Sequence, residues 1–129
     1  MAYVVDTHAI LWFLEDSPKL TQAVADVLED PESRLVVPTI ALAELWHMHV
    51  REKTTVSLGD AMALIDSLNN CEVHPFDEAI LNILPAGLEI HDAIIVATAM
   101  ALTGAIAEPV RVLTHDKRIT ESGLVDVLW

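Results

Sequence analysis

Four acidic residues stand where acids are rarely placed. Asp6, Glu44, Asp92 and Asp116 each lie within or beside an apolar segment, and an ionised carboxylate in such company needs a partner. Most of the other acids, among 20 Asp and Glu, sit in polar stretches and read as a solvated face. Asp6 ends the β-branched and aromatic run 3–5 and precedes the apolar series Ile10, Leu11, Trp12, Phe13 and Leu14. Asp116 repeats that arrangement after the run 111–113, which Thr114 ends. Either Asp could simply cap the helix that follows it. Asp92 falls in the first turn of an apolar helix, where a carboxylate complements the dipole. Glu44 separates the alternatives best, because it is mid-helix in TIALAELWHMHVR and capping cannot explain it. Its neighbours three and four residues away are Ile40, Ala41, His47 and Met48, with no Lys or Arg among them. The remaining structural explanation is a long side chain reaching out to water.

Only seven Lys and Arg are available to pair with these acids. Carboxylates that converge raise one another's pKa and repel. A divalent cation resolves that repulsion, and Mg²⁺ and Mn²⁺ prefer hard oxygen ligands. Such a site activates water and stabilises the charge that develops in an in-line phosphodiester displacement. The six histidines invite a zinc reading as well. His47 and His49, two apart on a helix, point to different faces and cannot chelate together. His91 and His115 adjoin acids, and hydrogen-bonded or surface roles are expected for them before metal ligation. Trp12, Phe13 and Trp46 are expected to fill core or a subunit surface rather than stack on bases. No Gly-rich phosphate loop exists, since Gly104 and Gly123 are isolated.

The elements that must hold the four acids alternate along the chain. Strands are expected at 3–5, 34–37, 72–74 and 111–113, with a possible edge strand at 125–128. Helices are expected after Asp6, then over 20–28, 39–51 and 58–68, the last opened by a capping box of Ser57 and Asp60. Further helices are expected over 77–84, with Phe76 as a staple, over 91–103, stopped by Gly104, and over 117–121. This alternation predicts an α/β fold: one domain, residues 1–129, with a central parallel sheet of about four to five short strands and helices on both faces. In such a sheet, ligands bind outside the carboxyl ends of the strands, where Asp6 and Asp116 fall.

Composition adds bounds. Apolar residues make up 53% of the 129 and aromatics 5%, so the core is aliphatic. A mean hydropathy of +0.42 suggests that a partner or a second copy covers some apolar surface. The longest apolar stretch, 93–107, includes Thr98, Thr103 and Gly104 and falls short of the ~20 residues a spanning helix needs. The N-terminus carries no basic leader, and the single Cys71 excludes an internal disulfide. A cytoplasmic protein is expected. The net charge of −13 taken alone argues against nucleic acid, yet it suits equally an acidic site that needs cations or a basic protein partner.

Four segments in order carry a family resemblance. VVDTHAILWFL, PTIALAELWHM, IHDAIIVATAMA and VLTHDKRI resemble the motifs of the PIN-domain ribonucleases, and within them the VapC-type toxins of bacterial toxin–antitoxin pairs. Position 8, a small polar residue in many of these proteins, is His8 here. The resemblance implies a PIN fold with Asp6, Glu44, Asp92 and Asp116 lining one Mg²⁺ or Mn²⁺ site. Asp6 and Asp92 would be direct ligands, Glu44 and Asp116 would act directly or through waters, and Thr114 would support the last acid by hydrogen bonding. It further implies cleavage of RNA, a homodimer, and inhibition by a small DNA-binding antitoxin. Lys117 and Arg118 are candidate phosphate contacts, as are Arg51 and Lys53 after the Glu44 helix. Another Mg²⁺-dependent phosphohydrolase is an alternative, although an aspartyl-phosphate mechanism expects a second Asp where His8 stands. A non-enzymatic receiver-like module would need an acidic pair that the chain lacks. A PIN fold that binds partners without catalysis is the remaining alternative.

Overall fold

Strand β1 (Ala2–Val5) is buried along its whole length, and the other strands pair outward from it. The computed structural model describes all 129 residues. β1 is followed by helix α1 (Thr7–Leu14), α2 (Gln22–Glu29), β2 (Arg34–Pro38), α3 (Thr39–Val50), α4 (Leu58–Ser67) and β3 (Cys71–His74). The chain continues through α5 (Glu78–Leu81), α6 (Ile90–Ala105), β4 (Val110–Leu113), α7 (Lys117–Ser122) and β5 (Asp126–Leu128). The five strands form one parallel sheet in the order β3-β2-β1-β4-β5. Val4 pairs with Val36 on one side and Val112 on the other, and Leu113 pairs with Leu128 at the edge. The strand order turns back between β1 and β4, so the two strands that end in Asp6 and Thr114 flank the switch point of the sheet.

Strand residues alternate between the faces. Tyr3, Val5, Leu35, Val37 and Leu113 pack with Ile10 and Leu11 of α1, Val24 and Leu28 of α2, Leu42 and Leu45 of α3, and Ile65 of α4. Ala2, Val4, Val36, Val110 and Val112 face the other way, against Ile95, Val96, Ala99 and Leu102 of α6 and Ile119 of α7. A parallel sheet covered on both faces needs apolar side chains in consecutive positions, which explains the short runs YVV, LVV and VRVL. Helix α6 is apolar almost all round because a third cluster, Ile80, Ile94 and Ala97, joins it to α5 on its far side. No helix is long and apolar enough to cross a membrane.

Most expected boundaries move by a residue or two, and two of the differences have a clear physical reason. Helix α6 runs through Gly104 to Ala105, with Ile106 as its C-cap. A single glycine costs a helix only about 1 kcal/mol relative to Ala, too little to stop one held by this much packing. Helix α5 ends at Leu81 instead of 84. Asp77 caps its start by accepting the Ile80 N–H, and the approach of Pro85 disfavours helical backbone at Leu84. Phe76 stays exposed and buries no staple. The Ser57–Asp60 capping box forms in both directions, at 3.0 and 2.9 Å. Gly123 closes α7 with φ of +67°, a left-handed conformation that glycine adopts without strain.

Candidate active site

Asp6 leaves β1 at its carboxyl end and becomes the N-cap of α1. Its Oδ1 accepts the Thr7 N–H at 2.7 Å. Its Oδ2 accepts the Thr114 hydroxyl at 2.6 Å, across the gap between β1 and β4. The same hydroxyl oxygen accepts the Asp116 N–H at 3.0 Å. Thr114 thus donates to the first acid, and it holds the last acid through its main chain. Where side-chain support of Asp116 by Thr114 was expected, the hydrogen bond runs to the Asp116 backbone N–H. Asp116 caps α7, its Oδ1 accepting the Arg118 N–H at 2.8 Å.

Both Asp residues therefore cap helices, yet capping does not account for Asp6. Its side chain is only 9% exposed, and burial raises its pKa against the lowering effect of the Thr114 and Thr7 hydrogen bonds. The Asp116 charge raises it further, while His8 opposes. Thr7 beside it is buried, and its own hydroxyl oxygen finds no partner.

Glu44 lies on α3, behind β2, and Asp92 in the first turn of α6. Partial burial pushes the Glu44 carboxyl up to about 7, with the charges of Asp6, Asp92 and Glu89 adding and His91 opposing. Desolvation likewise raises Asp92 to about 6, reinforced by Asp116, Asp6 and Glu89, while Arg118 lowers it. Mutual repulsion is the physical signature of acids gathered in one place, and it links all four. Glu44 is not released into water as a snorkelling side chain.

Glu89 was not among the expected residues. It caps α6 through the His91 N–H at 3.1 Å, and its other oxygen lies 3.0 Å from His91 Nδ1. The available signal was an acid just ahead of the apolar segment that holds Asp92. Of the candidate phosphate contacts, Lys117 and Arg118 are exposed at the start of α7, and Arg118 acts on Asp92. Arg51 and Lys53 are exposed beyond the far end of α3.

The profile of the PIN domain matches residues 3–123, nearly the whole chain. The chain belongs to the PIN domain family. PIN domains are in general nucleases. No curated relative matches this one by sequence. Among solved structures, a chain of VapBC2 from Rickettsia felis, bound to a DNA fragment from their promoter, is similar with a TM-score of 0.66 at 14% identity, over 99% of this chain and 98% of that one. FitAcB from Neisseria gonorrhoeae gives 0.63 at 19% identity, over 98% and 96%. VapBC-1 from nontypeable Haemophilus influenzae gives 0.60 at 18%, over 99% and 97%. At these identities the likeness establishes the fold alone.

The donor set of this PIN domain is all hard oxygen, and Arg118 is the one Lys or Arg among the charges that act on these acids. No three Asp, Glu, His or Cys side chains close on a common point as a ready-made cage. The all-oxygen donor set suits a hard cation such as Mg²⁺ or Mn²⁺, which is typically held by one or two carboxylates with water and phosphate.

Proposed function

We propose that this PIN domain is a metal-dependent endoribonuclease, the cytoplasmic toxin of a VapC-type toxin–antitoxin pair. The observation that carries the reading is the acid cluster at the sheet's switch point. Burial raises Asp6, Glu44 and Asp92; the charge of Asp116 adds to Asp6, those of Asp6 and Asp92 add to Glu44, and those of Asp116 and Asp6 add to Asp92. A protein gains nothing in stability from gathering unpaired carboxylates in this way, so the arrangement answers to a ligand.

In this reading Asp6 and Asp92 hold the ion, with Glu44 and Asp116 acting directly or through water. When bound, Mg²⁺ or Mn²⁺ supplies Lewis acidity: it neutralises phosphate charge and makes water a better nucleophile. The chain's own residues do the rest. Thr114 fixes the Asp6 carboxylate by its 2.6 Å hydrogen bond and sets the Asp116 backbone. Glu44, raised to about 7 before any cation arrives, is partly protonated near neutral pH, and cation binding displaces that proton. Arg118 and Lys117 offer cations to the flanking phosphates.

The resemblance and the VapBC and FitAcB neighbours support a cognate small DNA-binding antitoxin. Trp46, Val50, Leu81 and Ile90 are each more than half exposed, and such apolar surface suits a second copy or the antitoxin. The test is cleavage of a mixed tRNA, rRNA and mRNA pool by antitoxin-free protein. Cutting is expected with Mg²⁺ or Mn²⁺, is abolished by EDTA, and falls by roughly a hundredfold or more in Asp92→Asn, at least ~3 kcal/mol of transition-state stabilisation. Turnover of small phosphoesters without RNA cutting would point to a phosphohydrolase instead. The lack of a ready-made cage favours a second reading, a PIN fold that binds partners without cutting. A folded protein that binds no Mn²⁺ would establish it.

A further inference from the structure

Four rings gather beside the acids. Trp12, His115 and Trp129 form a triangle with centroids 5.5 to 5.6 Å apart, each pair meeting edge to face. His8 stacks obliquely on Trp12 at 5.0 Å. The Lys19 ammonium stands 5.6 Å from the Trp12 ring. Their positions follow from the fold. His8 is two residues past Asp6, and Trp12 is one helical turn further on the same face of α1. His115 lies between Thr114 and Asp116. Trp129 directly follows β5, whose Leu128 pairs with Leu113 at the end of β4. Three separate elements thus bring their aromatic side chains to the carboxyl end of the sheet, next to Asp6 and Asp116.

Core packing explains only part of this cluster. Trp12 and Trp129 are half-buried and pack against the hydrophobic core, as expected of Trp12, whereas His8 and His115 are exposed and join them at the surface. The cations nearby are also unspent. Lys19, Lys117 and Arg118 form no ion pair with any acid, although the chain carries a net charge of −13. Exposed rings with free cations at the edge of a nuclease site match the way single-stranded nucleic acid is held: bases stack on aromatic faces and the backbone follows positive charge. We propose that His8, Trp12, His115 and Trp129 form a stacking platform for one unpaired RNA base adjacent to the scissile phosphate. The platform rests on the ribonuclease reading and adds to it the side chains that would receive the base beside the cut. The base is accepted largely without regard to identity, because every base presents a π-face.

Binding tests this apart from cleavage. A Trp46→Phe background leaves Trp12 and Trp129 as the only tryptophans, and fluorescence is followed on titration with short single-stranded RNA. Ca²⁺ neutralises the acids, and a gel confirms that the RNA stays intact. The comparison ligand has the same length with abasic sugars at its centre. RNA is expected to quench the emission and to bind roughly 5- to 150-fold more tightly than the abasic strand, the range for one stacked base. Trp12→Ala and Trp129→Ala, checked for folding by circular dichroism, are expected to erase that difference, and Trp129→Phe to keep most of it. Equal affinity of the parent for both strands overturns the platform, even if the Ala variants do not fold. Unchanged affinity in folded Ala variants does the same and reduces the cluster to an anchor for the C-terminus. Mg²⁺- and Mn²⁺-dependent cleavage is measured alongside. Cleavage without base dependence removes the platform and leaves the nuclease standing, whereas no binding and no cleavage removes both.

Discussion

Replacing Glu44 by Gln takes one carboxyl out of the acid cluster while keeping its shape, so the difference between parent and variant isolates that group's titration. In the folded chain Glu44 rises from 4.5 to about 7. Between those values the folded state binds more protons than the unfolded chain, so the free energy of unfolding falls as pH rises. The contribution is fully present below about pH 4.5 and is lost as pH passes about 7. A shift of this size in a fully buried group is worth ~3 kcal/mol, and water around the half-buried side chain cuts it to roughly 1–2 kcal/mol. For a chain of this size that is roughly 3–8 °C in Tm. Asp92 and Asp6 are also raised and slope in the same direction, but they are present in both proteins and drop out of the comparison. The assay is thermal unfolding by circular dichroism in EDTA at pH 5 and pH 8. The parent is expected to lose more stability than Glu44→Gln over this interval, and the variant to be the more stable of the two at pH 8. Mg²⁺ requires ionised carboxylates, so it should raise the parent's Tm more at pH 8 than at pH 5. Parallel pH profiles, or a variant less stable than the parent at pH 8, would refute the reasoning. Either result would mean that the Glu44 carboxyl is fully hydrated and does not press against Asp6 and Asp92.

Two further outcomes are expected. Thr114→Val removes both the donor to Asp6 and the acceptor of the Asp116 N–H, at a cost of about 1–3 kcal/mol in stability and roughly 10- to 100-fold in cleavage. Thr114→Ser should retain most of both, and a Val variant with parent activity would take Thr114 out of the site. The double variant Lys117→Glu with Arg118→Glu should weaken RNA cleavage and flatten its dependence on salt, by about 1.4 in the log–log slope for two lost phosphate contacts to a single strand. Unaltered cleavage at all salt concentrations would show that these two side chains face solvent only.

What the sequence discloses is what local chemistry decides. The strand-to-helix turn at Asp6, the Ser57–Asp60 capping box and the parallel alternation of elements all rest on residues close together in the chain, and all are present. Gly104 and the end of α5 were less legible, because tertiary packing outweighed the glycine in one case and Pro85 reached back in the other. Long-range geometry was least legible. Spacing alone could not show that the Thr114 hydroxyl donates to Asp6, which is 108 residues away. Trp129 meets Trp12 only because β5 pairs with β4 in one particular register. Glu89 escaped notice because a glutamate ahead of a helix is ordinary until the fold sets it beside Glu44 and Asp92.

The strong acidity of the chain looks awkward for the proposed ribonuclease, and the distribution of charge resolves the difficulty. Among Lys and Arg, only Arg34 is spent on an ion pair, with Glu72, and it starts β2 at the amino end of the sheet. Lys117 and Arg118, beside Asp116, form no ion pair, and Lys19 lies over the Trp12 ring. At 0.1 M salt, exposed charges more than ~10 Å away are largely screened, so the bulk of the net −13 scarcely reaches the scissile phosphate. The local acids do reach it. Asp6, Glu44, Asp92 and Asp116 repel a phosphate for the same reason that they repel one another. A divalent cation removes both repulsions at once, and the substrate can then approach the rings and the free cations beside them. For the proposed ribonuclease, the cation would then serve RNA binding as well as the chemical step, because the acidity of the site keeps a phosphate away until an ion is bound.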